Sequence, residues 1–234
     1  MANITERWHS VREKVDTVAK QSGRKPEDVR VLAVSKTFPA TAVVEAWRAG
    51  AREFGENYVQ EGIEKIQSLP DIAAVWHFIG PLQSNKTRPV ATHFDWVHTI
   101  DRLKVAQRLN DQRPDDQAPL QVCLQVNISA DPDKAGVEEN EILALAEAVQ
   151  ALPRLQLRGL MTIPALDLSP ADLAQQFQRM QTWLERLKAL YPSVDTLSMG
   201  MSDDLELAVK HGSTCVRIGR GIFGDRTAKP SNHE

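Results

Sequence analysis

The sequence predicts an α/β protein folded as a single closed (β/α)8 TIM barrel, with an extra helix ahead of the first strand. Three observations carry this expectation. Eight short apolar runs alternate with segments of helical periodicity, and such alternation asks for a parallel sheet covered by helices. No linker divides the 234 residues, a length that suits one barrel. Eight units also fit closure better than an open doubly wound sheet, which usually carries about five to seven strands. The expected organisation is one barrel domain over residues 1–226 and a flexible C-terminal tail over 227–234.

The elements follow in order. Ile4, Trp8, Val11, Val15 and Val18 recur at alternating spacings of four and three, which marks an amphipathic helix over residues 3–21 that Gly23 stops. Val29, Val31, Leu32, Ala33 and Val34 form the first strand, an apolar run of the kind buried on both faces. Pro39 opens the next helix, which ends at Gly50. Residues 52–57 form a short second strand, and a helix over 58–69 stops at Pro70. Val75 to Gly80 is the third strand, followed by a polar, basic helix start through Asn85, Lys86 and Arg88.

Phe94 to Ile100 is the fourth strand, and Asp101 is expected to cap the helix after it. Residues 111–119, polar and with two prolines, read as the most mobile internal loop. The fifth strand runs over 120–128, and a helix carries Ile142, Leu145, Val149 and Leu152. The sixth strand covers 155–160 and exits through Met161-Thr162-Ile163-Pro164. A long helix starts near Pro170, and the seventh strand at 194–198 leads into Met199-Gly200-Met201-Ser202-Asp203-Asp204. A helix through Leu207 and Val209 ends at Gly212. Residues 214–218 are the eighth strand, and Gly219 to Gly224 close the ordered chain.

Composition excludes several classes. At 42% hydrophobic, 25% charged and net charge −3, the chain is an ordinary globular one with no basic field for nucleic acid or an anionic membrane. No apolar run reaches a membrane span, and the polar N-terminus lacks a signal-peptide core; a cytoplasmic protein is expected. Cys123 and Cys215 each sit in a strand-like run and read as buried reduced thiols, with neither a disulfide nor a zinc site. No metal site is expected: His93 and His98 lack ligand spacing and no H-E-x-x-H is present. The carboxylates Asp203, Asp204 and Glu206 suit the first turn of a helix without a metal.

In a barrel the residues just past each strand share one rim, where active sites sit. Lys36, Asn57, His77, Met161, Ser202 and the stretch from Arg217 to Gly221 all fall on or near it, and His77 reads equally as a residue stacking on a flat ring or as a packed core histidine. Lys36, at the end of a buried strand, reads either as a lysine snorkelling to solvent or as an amine placed to condense with an aldehyde. Arg217 ends another buried strand, where a guanidinium usually has a dedicated partner. The exits of strands seven and eight are where barrels most often bind phosphate, and Ser202 with Gly219-Arg220-Gly221 suits that role, although Ser, Asp and Gly also serve as plain caps and turns. Gly219-Arg220-Gly221-Ile222-Phe223-Gly224 matches G-x-G-x-x-G, but only ten residues follow it, too few for a dinucleotide-binding unit.

Leu32-Ala33-Val34-Ser35-Lys36, Phe54-Gly55-Glu56-Asn57-Tyr58, Trp76 through Lys86, Ser198 through Asp204, and Arg217-Ile218-Gly219 closely resemble the pyridoxal phosphate homeostasis proteins, single-domain relatives of the alanine racemase barrel (fold type III). The resemblance runs from about Arg7 to Gly224. It implies that Lys36 forms the internal aldimine, a Schiff base, with pyridoxal 5′-phosphate. Ser202 and the backbone at Gly219 and Arg220 would hold the phosphate, and Arg217 would approach the pyridine nitrogen. Asn57, His77 and Met161 would lie about the ring. The family often has Thr where this chain has Arg220, which leaves Arg220 either to supply charge or to turn to solvent.

Racemases of this fold add a tyrosine from another domain or subunit. The present chain is expected to end with its barrel, and Tyr58 and Tyr191 are its only tyrosines. A non-catalytic cofactor carrier is therefore expected, with no catalytic residue assigned, and a low-activity pyridoxal phosphate-dependent amino-acid racemase is the alternative. The expected unit is a monomer, with pyridoxal phosphate-dependent apoenzymes as recipients of the cofactor.

Overall fold

The computed structural model describes residues 3–225; the tail expected over 227–234 lies outside the described residues. Eight parallel strands close in sequence order, the eighth pairing with the first. They are β1 (Arg30–Val34), β2 (Glu53–Glu56), β3 (Val75–Phe78), β4 (Trp96–Ile100), β5 (Leu120–Val126), β6 (Leu155–Thr162), β7 (Thr196–Ser198) and β8 (Cys215–Ile218). The connecting helices are α2 (Ala40–Arg48), α3 (Val59–Ser68), α4 (Thr87–His93), α5 (Leu103–Gln112), α6 (Ile142–Gln150), α7 (Pro170–Leu190) and α8 (Leu205–Lys210). An extra helix, α1 (Ile4–Gln21), precedes them, and a single turn, α9 (Arg220–Phe223), follows β8. The predicted fold class is the observed one.

Strand alternation divides the core in two. Outward side chains such as Val31, Ala33, Phe54, Trp76, Phe78, Val97, Val122, Leu160 and Val216 pack with the helices in one large cluster. Inward side chains form smaller groups, Leu32, Val34, Ile79 and Cys215 in one and Trp96, Cys123 and Met161 in another. Both cysteines are free and fully buried, as expected. The α1 helix begins with a reciprocal cap in which Asn3 accepts from the Glu6 N–H and Glu6 accepts from the Asn3 N–H. Its buried Trp8, Val15, Val18 and Ala19 belong to the outer cluster.

Three local expectations are corrected. Asp101 does not cap α5: the N-cap is Arg102, with no side-chain cap bond, and Asp101 pairs with the Arg102 guanidinium instead. The strand β6 continues to Thr162, so Met161 lies inside it rather than in its exit, because its apolar pattern runs on into the fully buried Thr162. The loop expected to be the most mobile is short and anchored. α5 runs to Gln112, and the buried Arg113 donates to the carbonyls of Ala118, Ala91 and Phe94. One guanidinium thereby satisfies three backbone acceptors, one in the turn and two at the end of α4.

Candidate functional site

The C-terminal mouth of the barrel holds a cavity of about 210 Å³ whose walls include Val34, Lys36, Asn57, Ile79, Ile163, Met201, Ser202, Arg217, Gly219 and Arg220. Six of the eight predicted site residues are therefore brought together. Lys36 follows β1 and is half-buried. Asn57 follows β2, and its Oδ1 is buried with no hydrogen-bond partner among the described residues. Gly80 makes room for it: a Cβ there would fall 2.0 Å from the Asn57 carbonyl oxygen, well inside contact distance, so only glycine lets the two strand exits approach.

Arg217 is fully enclosed. It donates from Nη1 to the Ser198 carbonyl (2.8 Å) and hydroxyl (2.9 Å), and from Nη2 to the Thr162 carbonyl (2.9 Å). Burial pulls its pKa below the ordinary arginine value, which the distant charge of Asp204 only partly offsets. These acceptors are neutral, so the guanidinium is oriented but not neutralised by them.

The exits of β7 and β8 meet at the other side of the cavity. A Cβ on Gly221 would lie 3.6 Å from Ser202 Oγ, which puts the two loops in contact range. Gly200, with φ +95°, sits where a Cβ would meet that of Ala208 at 2.5 Å, so this sharp exit also requires glycine. The exposed Arg220 side chain turns to Asp203, with Nη2 to Oδ2 at 2.9 Å.

His77 and Met161 do not line the cavity. Both are fully buried, and the wall positions on their strands are taken two residues later by Ile79 and Ile163. One step of the pleat along the strand keeps a side chain inward but moves it nearer the rim.

A family model described as alanine racemase, N-terminal domain, matches residues 8–227. The pyridoxal phosphate homeostasis protein of Escherichia coli K12 is 53% identical over 232 residues, which is 97% of this chain and 98% of that one. The protein of the same name from Vibrio alginolyticus is 52% identical over 230 residues, 97% of this chain and 99% of that one. This chain belongs to the pyridoxal phosphate homeostasis protein family.

Among solved structures, PipY of Synechococcus elongatus with PLP bound matches with a TM-score of 0.82 at 38% identity, covering 95% of this chain and all of that one. Alanine racemase from Corynebacterium glutamicum matches with a TM-score of 0.66 at 17% identity, covering 97% of this chain and 64% of that one. That second likeness is one of fold.

Two groups in this family member escaped the sequence reading. The first clamps the Lys36 turn. Lys65 on α3 is buried and donates to the Ser35 carbonyl (2.6 Å), to Glu56 Oε1 (2.7 Å) and to Glu61 Oε1 (2.7 Å). Ser35 Oγ donates to Glu56 Oε1 (2.6 Å), and the Thr37 N–H donates to Glu61 Oε1 (2.5 Å). The residues on either side of Lys36 are thus tied to one ammonium and two carboxylates, and Thr37 is held at φ +68°, a conformation costly for a β-branched residue. Burial raises the Glu56 pKa, and this outweighs the opposing effects of Lys65 and Ser35. An i, i+4 spacing from Glu61 to Lys65 was visible in the sequence, but its reach to Ser35 was not.

The second group lies inside the barrel. His77 Nδ1 is 2.8 Å from His98 Nε2, and His98 Nδ1 is 2.8 Å from Ser198 Oγ. His77 Nε2 is 3.1 Å from Glu53 Oε2, off the line of a straight hydrogen bond. Burial lowers the pKa of both histidines. Glu53 partly opposes this at His77, whereas His77, Arg217 and Arg30 reinforce it at His98.

Proposed function

We propose that the chain binds pyridoxal 5′-phosphate at the C-terminal mouth as a Schiff base on Lys36, and serves vitamin B6 and amino-acid homeostasis in the cytoplasm as a carrier. The observation that carries this reading is the convergence of a half-buried amine, an enclosed guanidinium, a hydroxyl and an orphaned amide oxygen on one small cavity. Its size, about 210 Å³, falls below the roughly 300–1,000 Å³ of pockets for drug-sized ligands, and suits one monocyclic ring bearing a phosphate. The cofactor named for PipY and for the relatives has the groups this cavity answers: an aldehyde for Lys36, a ring nitrogen for Arg217, and a phosphate for Ser202 and the backbone at Gly219 and Arg220. Asn57 Oδ1 accepts at the ring's edge. His77 and Met161, which do not line the cavity, would act on the cofactor only through the packing of the barrel interior.

Pyridoxal phosphate supplies an electron sink when its ring nitrogen is protonated. A cationic Arg217 beside that nitrogen disfavours the proton by like-charge repulsion, so the residues of this site hold the cofactor while weakening its catalytic power. Neither tyrosine lines the cavity. Tyr58 is 54% exposed, and Tyr191 caps the far end of α7. The racemase-like fold keeps a weak amino-acid racemase as the second reading. Incubation of the purified holoprotein with single L-amino acids in deuterated water separates the two. The carrier reading expects no enzyme-rate exchange at Cα together with transfer of the cofactor to apoenzymes; turnover at ordinary enzymatic rates overturns it. A monomeric unit is part of the same proposal, checked by sedimentation. Among the described residues no helix is long and apolar enough to cross a membrane.

A further inference from the structure

A single file of polar side chains crosses the barrel interior, from Glu53 and Arg30 at the N-terminal mouth to Arg217 at the cofactor cavity. Its links are Glu53, His77, His98, Ser198 and Arg217. The four inner members, from His77 to Arg217, are each at most 5% exposed, and they come from β3, β4, β7 and β8. Packing alone does not account for two imidazoles placed nitrogen to nitrogen in an apolar lumen, since buried polar groups are costly unless their bonds are made.

The Glu53 end sets the direction of the file, and the Arg217 end is compatible with it. Arg217 can only donate, and an ionised Glu53 can only accept. The bare lone pair of an imidazole facing a carboxylate would be repelled, so His77 carries its proton on Nε2 and leaves Nδ1 to accept. His98 must then carry its proton on Nε2 and accept on Nδ1, which the Ser198 hydroxyl fills. Ser198 Oγ keeps a lone pair for Arg217 Nη1. With both histidines neutral, each donor points from Arg217 toward Glu53.

We propose that His98, fixed by its contact with His77, acts through the Ser198 hydroxyl as a positioning residue for Arg217, so that the donor facing the cofactor's ring nitrogen is held by a relay of side-chain hydrogen bonds that begins at His77, beside the Glu53 carboxylate near the opposite mouth of the barrel. This rests on the reading that Arg217 faces that nitrogen. The charged groups about the relay are Glu53 on β2, Arg30 on β1 and Asp95 ahead of β4 around His77, and Arg217 on β8 and Arg30 around His98. A proton gained by the pair would reverse the file: His98 Nδ1–H would donate to Ser198, the hydroxyl would turn away, and Arg217 would face a second cation across one oxygen. The backbone carbonyls of Ser198 and Thr162 still hold Arg217, so the relay trims its placement rather than creating it.

The experiment is a pH titration of the visible band of the holoprotein, with occupancy counted by borohydride trapping. Ser198→Ala and His98→Asn are expected to raise the protonation midpoint of the ring by about one pH unit, the scale of one hydrogen bond to a charged group, in the same sense as Arg217→Glu but by less. Ser198→Thr, which keeps the hydroxyl, restores the wild-type midpoint. Wild-type titration by Ser198→Ala at full occupancy overturns the proposal. If that variant does not fold, imidazole 15N NMR of the wild-type chain decides. Neutral Nε2–H tautomers at both His77 and His98 at pH 7 support the relay, and an Nδ1–H tautomer at either overturns it. Failure of borohydride to trap the cofactor on wild-type Lys36 sinks the cofactor reading, and the tautomers are then read on the ligand-free chain.

Discussion

At the N-terminal mouth of the barrel Arg30, Glu53, Arg158 and Asp195 are engaged with one another and with their neighbours, whereas at the C-terminal mouth Asn57 keeps a buried acceptor without a partner among the described residues. Arg30 reaches Glu53 and donates to Thr196 Oγ1, and Arg158 holds Asp195 and Gln121. Both guanidinium groups also lie over the Trp96 ring, at 4.6 and 4.9 Å from its centroid, and His77 stacks on the same indole. A mouth whose charges are internally matched is a structural plug. The opposite mouth, with Arg217 oriented by neutral groups and an acceptor left open among the described residues, suits a ligand. The contrast also fits the general placement of barrel sites at the C-terminal ends of strands, with stability residues at the other end.

The largest expected effect separates the two mouths cleanly. Lys36→Ala should abolish the covalent cofactor adduct entirely while leaving the unfolding free energy of the ligand-free protein within about 0.5 kcal/mol of wild type. A large loss of stability would assign Lys36 a structural role and erase the contrast. Next in size is Lys65→Met, which strands the carboxylate of Glu56 in the core; removing one partner of a buried pair costs about 3–5 kcal/mol. Urea denaturation should read that loss, and the Lys36 adduct should form more slowly because its turn is no longer clamped. At the plug, Arg158→Ala should cost about 1–2 kcal/mol, from its partly exposed ion pair and its cation–π contact, with cofactor binding unchanged. A drop in occupancy there would show that the mouths are not independent.

The smallest effect expected is in pH. Burial holds the histidine pair below its ordinary value, while unfolded imidazoles titrate near about 6.5. Between the two values the unfolded chain binds more protons, so the pair's contribution is complete above about pH 7 and declines as pH falls below about 6.5. Burial would raise Glu53, but His77, Arg30 and Arg158 outweigh it and keep the carboxyl low. Its contribution is present above about pH 4.3 and is lost as pH falls further, through its folded value. Glu56, raised by burial, works in the opposite sense. Urea midpoints measured across pH should show the first decline, and His98→Gln should flatten it.

Much of this was legible in the chain because barrel strands are local signals. A run such as Val31-Leu32-Ala33-Val34 declares itself without knowledge of its neighbours, and a lysine or arginine ending such a run stands out, as Lys36 and Arg217 do. Depth along the strand is harder. The sequence puts His77 and Met161 on or near the rim, and the cavity wall is reached two residues later, at Ile79 and Ile163, since strand length cannot be read to better than a pleat. The relay and the clamp were hidden for a different reason. His98 reads in sequence as a lone histidine without ligand spacing, and its partners His77 and Ser198 lie 21 and 100 residues away. Lys65 likewise touches Ser35 from 30 residues off. The alternation of Trp96 and His98 on one strand was the available hint that both point inward, but only closure of the barrel says what they meet.

The central claim is that Lys36, at the mouth left open, is the point of attachment of the cofactor. Holoprotein incubated with pyridoxal 5′-phosphate, reduced with borohydride, digested and mapped by mass spectrometry tests it most directly. The account predicts one reduced pyridoxyl phosphate group per chain, carried on Lys36. A stoichiometric label on any other lysine, with Lys36 unmodified, would contradict it.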